Sequence, residues 1–176
     1  GVEVLLNTAV TGASEGLVEL ADGTRIPTHT LVWTAGVRAN PLADHLGTPQ
    51  ARGGRLVVEP TLHIPDYPHV YAVGDIAYFE DDQGRPVPQV APAALQQGEM
   101  AAKNILRDLA GESLESYQYR DRGTMVTIGR NTGVARVWGR SVRGFLAWSA
   151  WLVVHLVKLI GFRNRLAVLS DWAWNY

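Results

Sequence analysis

One apolar segment, ending in glycine and aspartate, constrains the fold of this chain more than any other feature of its sequence. Residues Val70–Val73 are apolar or aromatic, and Gly74-Asp75 follow them directly. Apolar residues three and four apart then predict a helix over Ala91–Leu109, with Pro92 in the first turn, where proline is tolerated. A buried strand that leads through a loop into a helix is typical of α/β folds.

The Gly74-Asp75 pair stands where α/β proteins bind ligands, at the carboxyl end of the predicted strand. Glycine lets a ligand approach the backbone, and a carboxylate beside it accepts hydrogen bonds from hydroxyl groups. A Gly-Asp turn also occurs for purely structural reasons. The dipeptide alone leaves both interpretations open.

Shorter apolar segments predict further strands. Val2–Val10, Leu17–Leu20 and the segment from Ile26 to Trp33 indicate a small antiparallel meander, with turn residues at Ala21–Thr24. Met125–Trp138 is typical of two strands around an Arg-Asn-Thr-Gly turn. The chain is therefore predicted to contain antiparallel units on both sides of the strand and helix described above.

The composition excludes several classes of function and divides the chain in two. Cysteine is absent, which excludes disulfide scaffolds, thiolate metal sites and cysteine nucleophiles within this sequence. The net charge is −1, but residues 1–119 sum to −8 and residues 120–176 to +7. Five of the six tryptophans also fall in the basic part. Redox chemistry in this chain would therefore need a bound cofactor, and the two parts are expected to meet different surroundings.

The basic part contains an apolar run from Phe145 to Phe162, interrupted by His155 and Lys158. Arg163 and Arg165 follow it, and a second apolar run begins at Leu166. Ionisable groups inside the run favour a helix that lies in a membrane interface over one that crosses the bilayer, with the two arginines placed to reach lipid headgroups. Burial in a core or in a contact between subunits is the alternative for such a tryptophan-rich run.

Three motifs occur together in an order that resembles one enzyme family. Thr34-Ala35-Gly36 ends an early apolar segment, Tyr71-Ala72-Val73-Gly74-Asp75 follows about forty residues later, and Ala91–Gly98 reads Ala-Pro-Ala-Ala-Leu-Gln-Gln-Gly. Together they resemble the type II NADH:quinone oxidoreductases, single-subunit flavoproteins that do not pump protons. The resemblance extends over essentially the whole chain, and the sequence departs from it at Pro92, where the family signature has a glutamine.

The resemblance implies an α/β fold, the C-terminal part of a two-Rossmann-domain (FAD/NAD(P)-binding) flavoprotein with an α+β membrane-binding extension. Residues 1–37 would form the last strands of the NADH-binding domain, residues 38–117 the closing segment of the FAD-binding domain, and residues 118–176 the membrane anchor. The sequence has no G-x-G-x-x-G loop, so both pyrophosphate-binding loops are expected in a segment that precedes it. We therefore expect this chain to be part of a longer protein.

The resemblance also implies roles for individual residues. Asp75 would accept a hydrogen bond from the ribityl chain of non-covalently bound FAD, and Gln96, with Pro92 on the same helix face, would lie at the quinone site. The residues implied at the cofactor are Ala35, Gly36, Gly74, Asp75, Ala91, Ala94 and Leu95. No catalytic side chain and no metal ligand is assigned, because the flavin supplies the chemistry.

The implied function is transfer of electrons from NADH through FAD to a quinone at a membrane surface. Residues 144–176 would bind the cytoplasmic face of the cell membrane peripherally, with no nucleic-acid partner, and a homodimer is compatible with the resemblance. Sulfide:quinone oxidoreductases and disulfide reductases use redox-active cysteines, which this sequence lacks. A ferredoxin-type reductase, and a non-catalytic membrane-binding or dimerisation module built on a degenerate flavoprotein, remain alternatives.

Overall fold

The computed structural model describes residues 2–175 as a mixed α/β chain that divides into two compact units, Gly1–Val37 and Arg38–Tyr176. The strands are β1 (Val10–Ser14), β2 (Leu17–Leu20), β3 (Arg25–Pro27), β4 (Gln50–Ala51), β5 (Arg55–Val57), β6 (His63–Ile64), β7 (Tyr67–Tyr71), β8 (Ala77–Tyr78), β9 (Thr124–Thr127), β10 (Gly133–Val137) and β11 (Arg140–Gly144). The helices are α1 (Ala91–Leu109), α2 (Phe145–Lys158) and α3 (Phe162–Asn175).

The first unit is an antiparallel meander in the order β1-β2-β3, which confirms the predicted topology. The prediction of a strand over Val2–Val10 is wrong in its bounds, because only Val10 belongs to β1 and residues 2–9 form no strand. Leu31–Trp33 also has no regular secondary structure and is exposed. An apolar pattern gives a strand only where a neighbouring chain pairs its N–H and C=O groups, and within this unit these two segments have no such neighbour.

The second unit opens with two small sheets. β5 pairs in parallel with β8 and antiparallel with β4, while β6 and β7 form a hairpin of their own. The prediction of a buried strand over Val70–Val73 is therefore wrong in its bounds and its burial. β7 ends at Tyr71 and is mostly exposed, because a two-stranded ribbon cannot bury both of its faces. Ala72, just beyond its end, is buried.

Helix α1 spans the residues predicted from the apolar spacing and covers one cluster of buried residues. Its buried face is formed by Ala93, Gln97, Ala101 and Asn104. The partners in the cluster come from the strands and loops before the helix and from Tyr117 after it. Two of the four inward positions are amides, so this helix packs by hydrogen bonding as well as by apolar contact.

The C-terminal part is a three-stranded antiparallel sheet in the order β11-β10-β9, with α2 packed against it. The sheet confirms the two strands predicted over Met125–Trp138 and adds β11, which has no apolar alternation. An added Cβ on Gly133 would lie 2.9 Å from the backbone nitrogen of Trp148, so α2 approaches β10 too closely for any side chain there. None of the helices in residues 2–175 is both long and apolar enough to cross a bilayer.

Candidate functional site

The Gly74-Asp75 motif forms a 3-10 turn, Gly74–Ile76, that lies against helix α1. The backbone nitrogen of Gly74 donates a 2.6 Å hydrogen bond to Oε1 of Gln97 on that helix. Gly74 has φ +74°, and a Cβ added to it would lie 3.4 Å from the Cβ of Ala94. Both the backbone conformation and the close approach of the helix therefore favour glycine at this position.

Asp75 presents its carboxylate to solvent beside the start of α1. The residue is exposed, and its carboxylate oxygens have no hydrogen bond or ion pair within residues 2–175. Its backbone oxygen accepts a 2.9 Å hydrogen bond from Nε2 of Gln89, just before the helix. The turn is thus fixed through its main chain, and the side chain is left able to accept hydrogen bonds from a ligand.

The first turn of α1 carries no side-chain cap. Val90 precedes the helix in an extended conformation, and the first turn contains no acidic residue. Leu95 is 57% exposed and Ala91 is also exposed, whereas Ala94 is half-buried against Gly74. Pro92 has no N–H, and the nitrogens of Ala93 and Ala94 both donate to the Val90 oxygen, so the partial positive charge at this end comes from the helix dipole. The structure therefore brings Gly74, Asp75 and the predicted helix residues into one place.

Arg55 is a buried cation that was not predicted as a site residue. Its Nε and Nη2 donate to the backbone oxygen of Ala77 at 3.0 and 2.6 Å, and Nη2 also donates to that of Val87 at 3.3 Å. Burial lowers the pKa of its guanidinium, and the nearby charges of Tyr78 and Asp75 oppose that shift. Arg55 therefore fixes the strand after the Asp75 turn to the loop before α1. A charged residue at the head of an apolar strand is the only sequence signal for it.

Gln97 and Gln96 are neighbours on α1 with different partners. Gln97 is 2% exposed and holds Gly74, a role that the sequence did not reveal. Gln96 donates from Nε2 to the backbone oxygens of Pro92 and Arg120 at 3.0 and 3.1 Å, and its Oε1 accepts from the Arg120 nitrogen at 3.0 Å. Both amide hydrogens of Gln96 are thus engaged within the chain. Pro92 is half-buried in the first turn.

The remaining predicted cofactor residues, Ala35 and Gly36, lie in the other unit, Gly1–Val37. They are exposed, in a segment without regular secondary structure, and Gly36 has φ +104°. The structure places them in a loop that favours glycine. Their assignment to the cofactor stays a prediction.

The two arginines predicted to reach lipid headgroups differ in their surroundings. Arg163 is exposed, and its guanidinium has no hydrogen bond or ion pair to any residue that the structure describes. Arg165 instead donates from Nε to the backbone oxygen of Leu159 at 2.9 Å and from Nη2 to that of Val157 at 2.8 Å. The guanidinium of Arg165 thus binds carbonyl groups at the end of α2, and the contact of both arginines with lipid headgroups stays a prediction.

Comparison with known proteins assigns the chain to a family. The profile of the pyridine nucleotide-disulphide oxidoreductases matches residues 1–98, more than half of the sequence. The chain belongs to this family. The matched region contains the Gly74-Asp75 turn and the first turns of α1.

The similar curated proteins of the family confirm the resemblance drawn from the motifs. The type II NADH:quinone oxidoreductase Ndh of Mycobacterium tuberculosis is 39% identical over 183 residues, which cover 98% of this chain and 38% of that protein. The type II NADH:quinone oxidoreductase of Staphylococcus aureus is 38% identical over 148 residues, or 82% of this chain and 37% of that protein. The chain thus spans less than two fifths of the length of these relatives.

Solved structures confirm the mixed α/β fold expected for this family. NDH2 from Plasmodium falciparum in complex with NADH superposes with a TM-score of 0.75, over 95% of this chain and 50% of that one. The sequences are 14% identical. The reduced CoADR-RHD of Bacillus anthracis gives a TM-score of 0.54 over 73% of this chain and 23% of that one, at 24% identity. These likenesses concern the fold alone, and the membrane-binding extension stays a prediction.

Proposed function

We propose that this chain is the C-terminal part of a longer, membrane-associated flavoprotein that oxidises NADH and reduces a quinone without pumping protons. One observation carries the proposal. The carboxylate of Asp75, which has no hydrogen bond or ion pair among residues 2–175, stands on a turn that Gln97 holds against the start of α1. The names of the relatives, type II NADH:quinone oxidoreductases, support the substrate class.

The residues present fit a flavin with a sugar-alcohol chain. Asp75 offers acceptor oxygens to hydroxyl groups, and glycine at position 74 lets helix α1 approach the turn that carries it, because an added Cβ would lie 3.4 Å from the Cβ of Ala94. FAD, when bound, supplies the chemistry by accepting a hydride from NADH and delivering two electrons to the quinone. The positive end of the α1 dipole would stabilise negative charge that develops in front of it, which is the form of electrostatic help that accelerates reactions.

The assignment of segments follows the same proposal. Residues 1–37 supply the last strands of the NADH-binding domain, with Ala35 and Gly36 at the return towards the flavin. Residues 38–117 close the FAD-binding domain, and residues 118–176 form the anchor. The exposed apolar segments of the first unit, such as Val2–Leu6, are compatible with burial against further strands of a longer chain.

Residues 144–176 form the proposed membrane surface, on the cytoplasmic side of the cell membrane. At the corner between α2 and α3, Ile160 is 89% exposed and Phe162 is 73% exposed. Lys158 and Arg163 flank this corner and are exposed as well. Apolar side chains beside unpaired cations suit the boundary between acyl chains and anionic headgroups. A homodimer that buries the same residues is the competing occupant of this surface.

The test is steady-state NADH oxidation by the complete protein that contains this chain. We expect bound flavin, visible by its absorbance, and NADH oxidation that depends on a short-chain quinone. Absence of both flavin and NADH oxidation would contradict the proposal and favour the non-catalytic module. Flavin with reduction of ferredoxin but not of quinone would favour a ferredoxin-type reductase instead.

A further inference from the structure

Residues 113–120, here named the strap, run along helix α1 without forming a helix or a strand. Side chains of the helix pair the backbone of the strap at two places. Asn104 donates from Nδ2 to the backbone oxygen of Glu115 at 2.8 Å and accepts from the Glu115 nitrogen at 2.9 Å. Gln96 makes the same two-way pairing with the backbone of Arg120, at 3.1 and 3.0 Å.

Each side-chain amide supplies one hydrogen-bond donor and one acceptor to the backbone of a single strap residue, as a neighbouring β-strand would. The two amides are eight residues apart, about 12 Å along the helix axis. Between the two pairings Tyr117 is buried, its ring 5.4 Å from that of Phe79, and its nitrogen donates to the Pro60 oxygen at 2.7 Å. The strap is therefore held at both ends by the helix and in its middle by the core.

The pairing at Gln96 lies next to the candidate flavin site. Its neighbour Gln97 holds Gly74, so two consecutive side chains of α1 fix the Asp75 turn and the end of the strap. β9 begins at Thr124, four residues after Arg120. Gln96 thus joins the helix at the site to the start of the C-terminal module, defined here as residues 124–175.

The hydrogen bonds of Gln96 also bear on its chemistry. A quinone carbonyl accepts hydrogen bonds, so a residue that recognises it must provide a donor. Both amide hydrogens of Gln96 already reach the oxygens of Pro92 and Arg120. Binding a quinone directly would leave at least one of these backbone oxygens without its partner.

We propose that Gln96 is a positioning residue that sets the place of the C-terminal module relative to the flavin helix, and does not itself contact the acceptor. The inference rests on the proposed function for its kinetic consequence only. The structural part, that the end of the strap depends on this amide, holds whether or not a flavin is bound.

The test uses the complete protein with Gln96→Ala and, as matched control, Gln118→Ala. Gln118 is an exposed glutamine of the strap, and the structure gives its side chain no hydrogen bond to any described residue. We expect amide hydrogen exchange over residues 118–124 to rise about tenfold in the first variant and to stay unchanged in the second. Flavin content should be unchanged in both. The KM for a short-chain quinone should rise in Gln96→Ala, while reduction of ferricyanide is retained.

Gln96→Glu keeps an acceptor for the Arg120 nitrogen but loses the donor to the Arg120 oxygen. We therefore expect amide exchange over residues 118–124 to lie between that of the unaltered protein and that of Gln96→Ala. This variant provides the test if the alanine variant does not fold. Unchanged exchange over 118–124 together with impaired quinone reduction would overturn the proposal and make Gln96 a direct contact. Loss of flavin-dependent activity in the unaltered protein would contradict the proposed function, and the exchange result would still decide the structural part.

Discussion

At the scale of single residues, the candidate site combines local features with contacts between distant parts of the chain. The Gly74-Asp75 turn and the start of α1 depend on nearby residues, and both could be predicted from the sequence. Gln97 and Arg55 act on groups 23 and 22 residues away. A glutamine on an amphipathic helix is usually exposed, so only the packing of α1 on the Gly74 turn shows why this one is buried. The roles of Gln97 and Arg55 could not be predicted from local pattern.

Tyr117 yields a prediction at the residue scale. Burial, helped by the neighbouring Tyr119, raises its pKa from 10.0 to about 12, and its hydroxyl has no hydrogen-bond partner among the residues that the structure describes. Between these two values the unfolded chain loses a proton that the folded chain keeps, so stability falls as pH rises from 10 to 12.

Tyr117→Phe should therefore lose less stability over that pH range and be at least as stable at neutral pH, because the unpartnered hydroxyl is gone. Urea denaturation of both proteins at pH 7, 10 and 11 measures this. An equal loss of stability in the variant and the unaltered protein would contradict the assignment of this pKa.

At the scale of elements, α1 was predictable because its apolar spacing and the proline in its first turn are local signals. β11 could not be predicted in this way, because Arg140–Gly144 is mostly exposed and shows no apolar face. It forms a strand because its backbone pairs with β10 in a hairpin. Val2–Val10 shows the reverse, an apolar pattern without a neighbouring strand. Strands depend on the strands they pair with, so their first and last residues were the part of the fold that the sequence predicted least well.

The α2–α3 corner yields a prediction at the element scale. Arg165→Met removes two hydrogen bonds to the oxygens of Leu159 and Val157. Amide exchange over residues 157–162 should then increase about tenfold or more, since the end of α2 loses its partner. Arg163→Met, which removes a charge from the same corner without breaking such bonds, is the control and should leave exchange there unchanged. Equal exchange in the two variants would show that Arg165 does not hold the corner.

At the scale of the whole molecule, charge and apolar surface separate the proposed flavin-binding and membrane-binding parts. Residues 120–176 carry the positive excess and most of the tryptophan, and the exposed apolar residues of α2 and α3 lie in the same stretch. The composition already indicated this division. It could not indicate that the strap joins the two parts through side-chain amides, since that pairing exists only in the folded chain.

Deleting residues 144–176 from the complete protein tests the membrane assignment. We expect release from membranes and a larger loss of activity with long-chain quinones than with soluble acceptors, because a long-chain quinone stays in the bilayer. Sedimentation with vesicles and parallel assays of both acceptors measure this. Equal losses for both acceptors would mean that the two helices serve as core.

If the Asp75 carboxylate holds a flavin, the FAD content of the purified complete protein depends on this side chain. Asp82 is an exposed aspartate in the following loop whose carboxylate has no partner within the described residues, so Asp82→Ala is a matched control. We predict that Asp75→Ala binds FAD at least about tenfold more weakly, since a hydrogen bond to a charged group is lost, and that Asp82→Ala is fully occupied. Equal FAD content in the two variants would contradict the account.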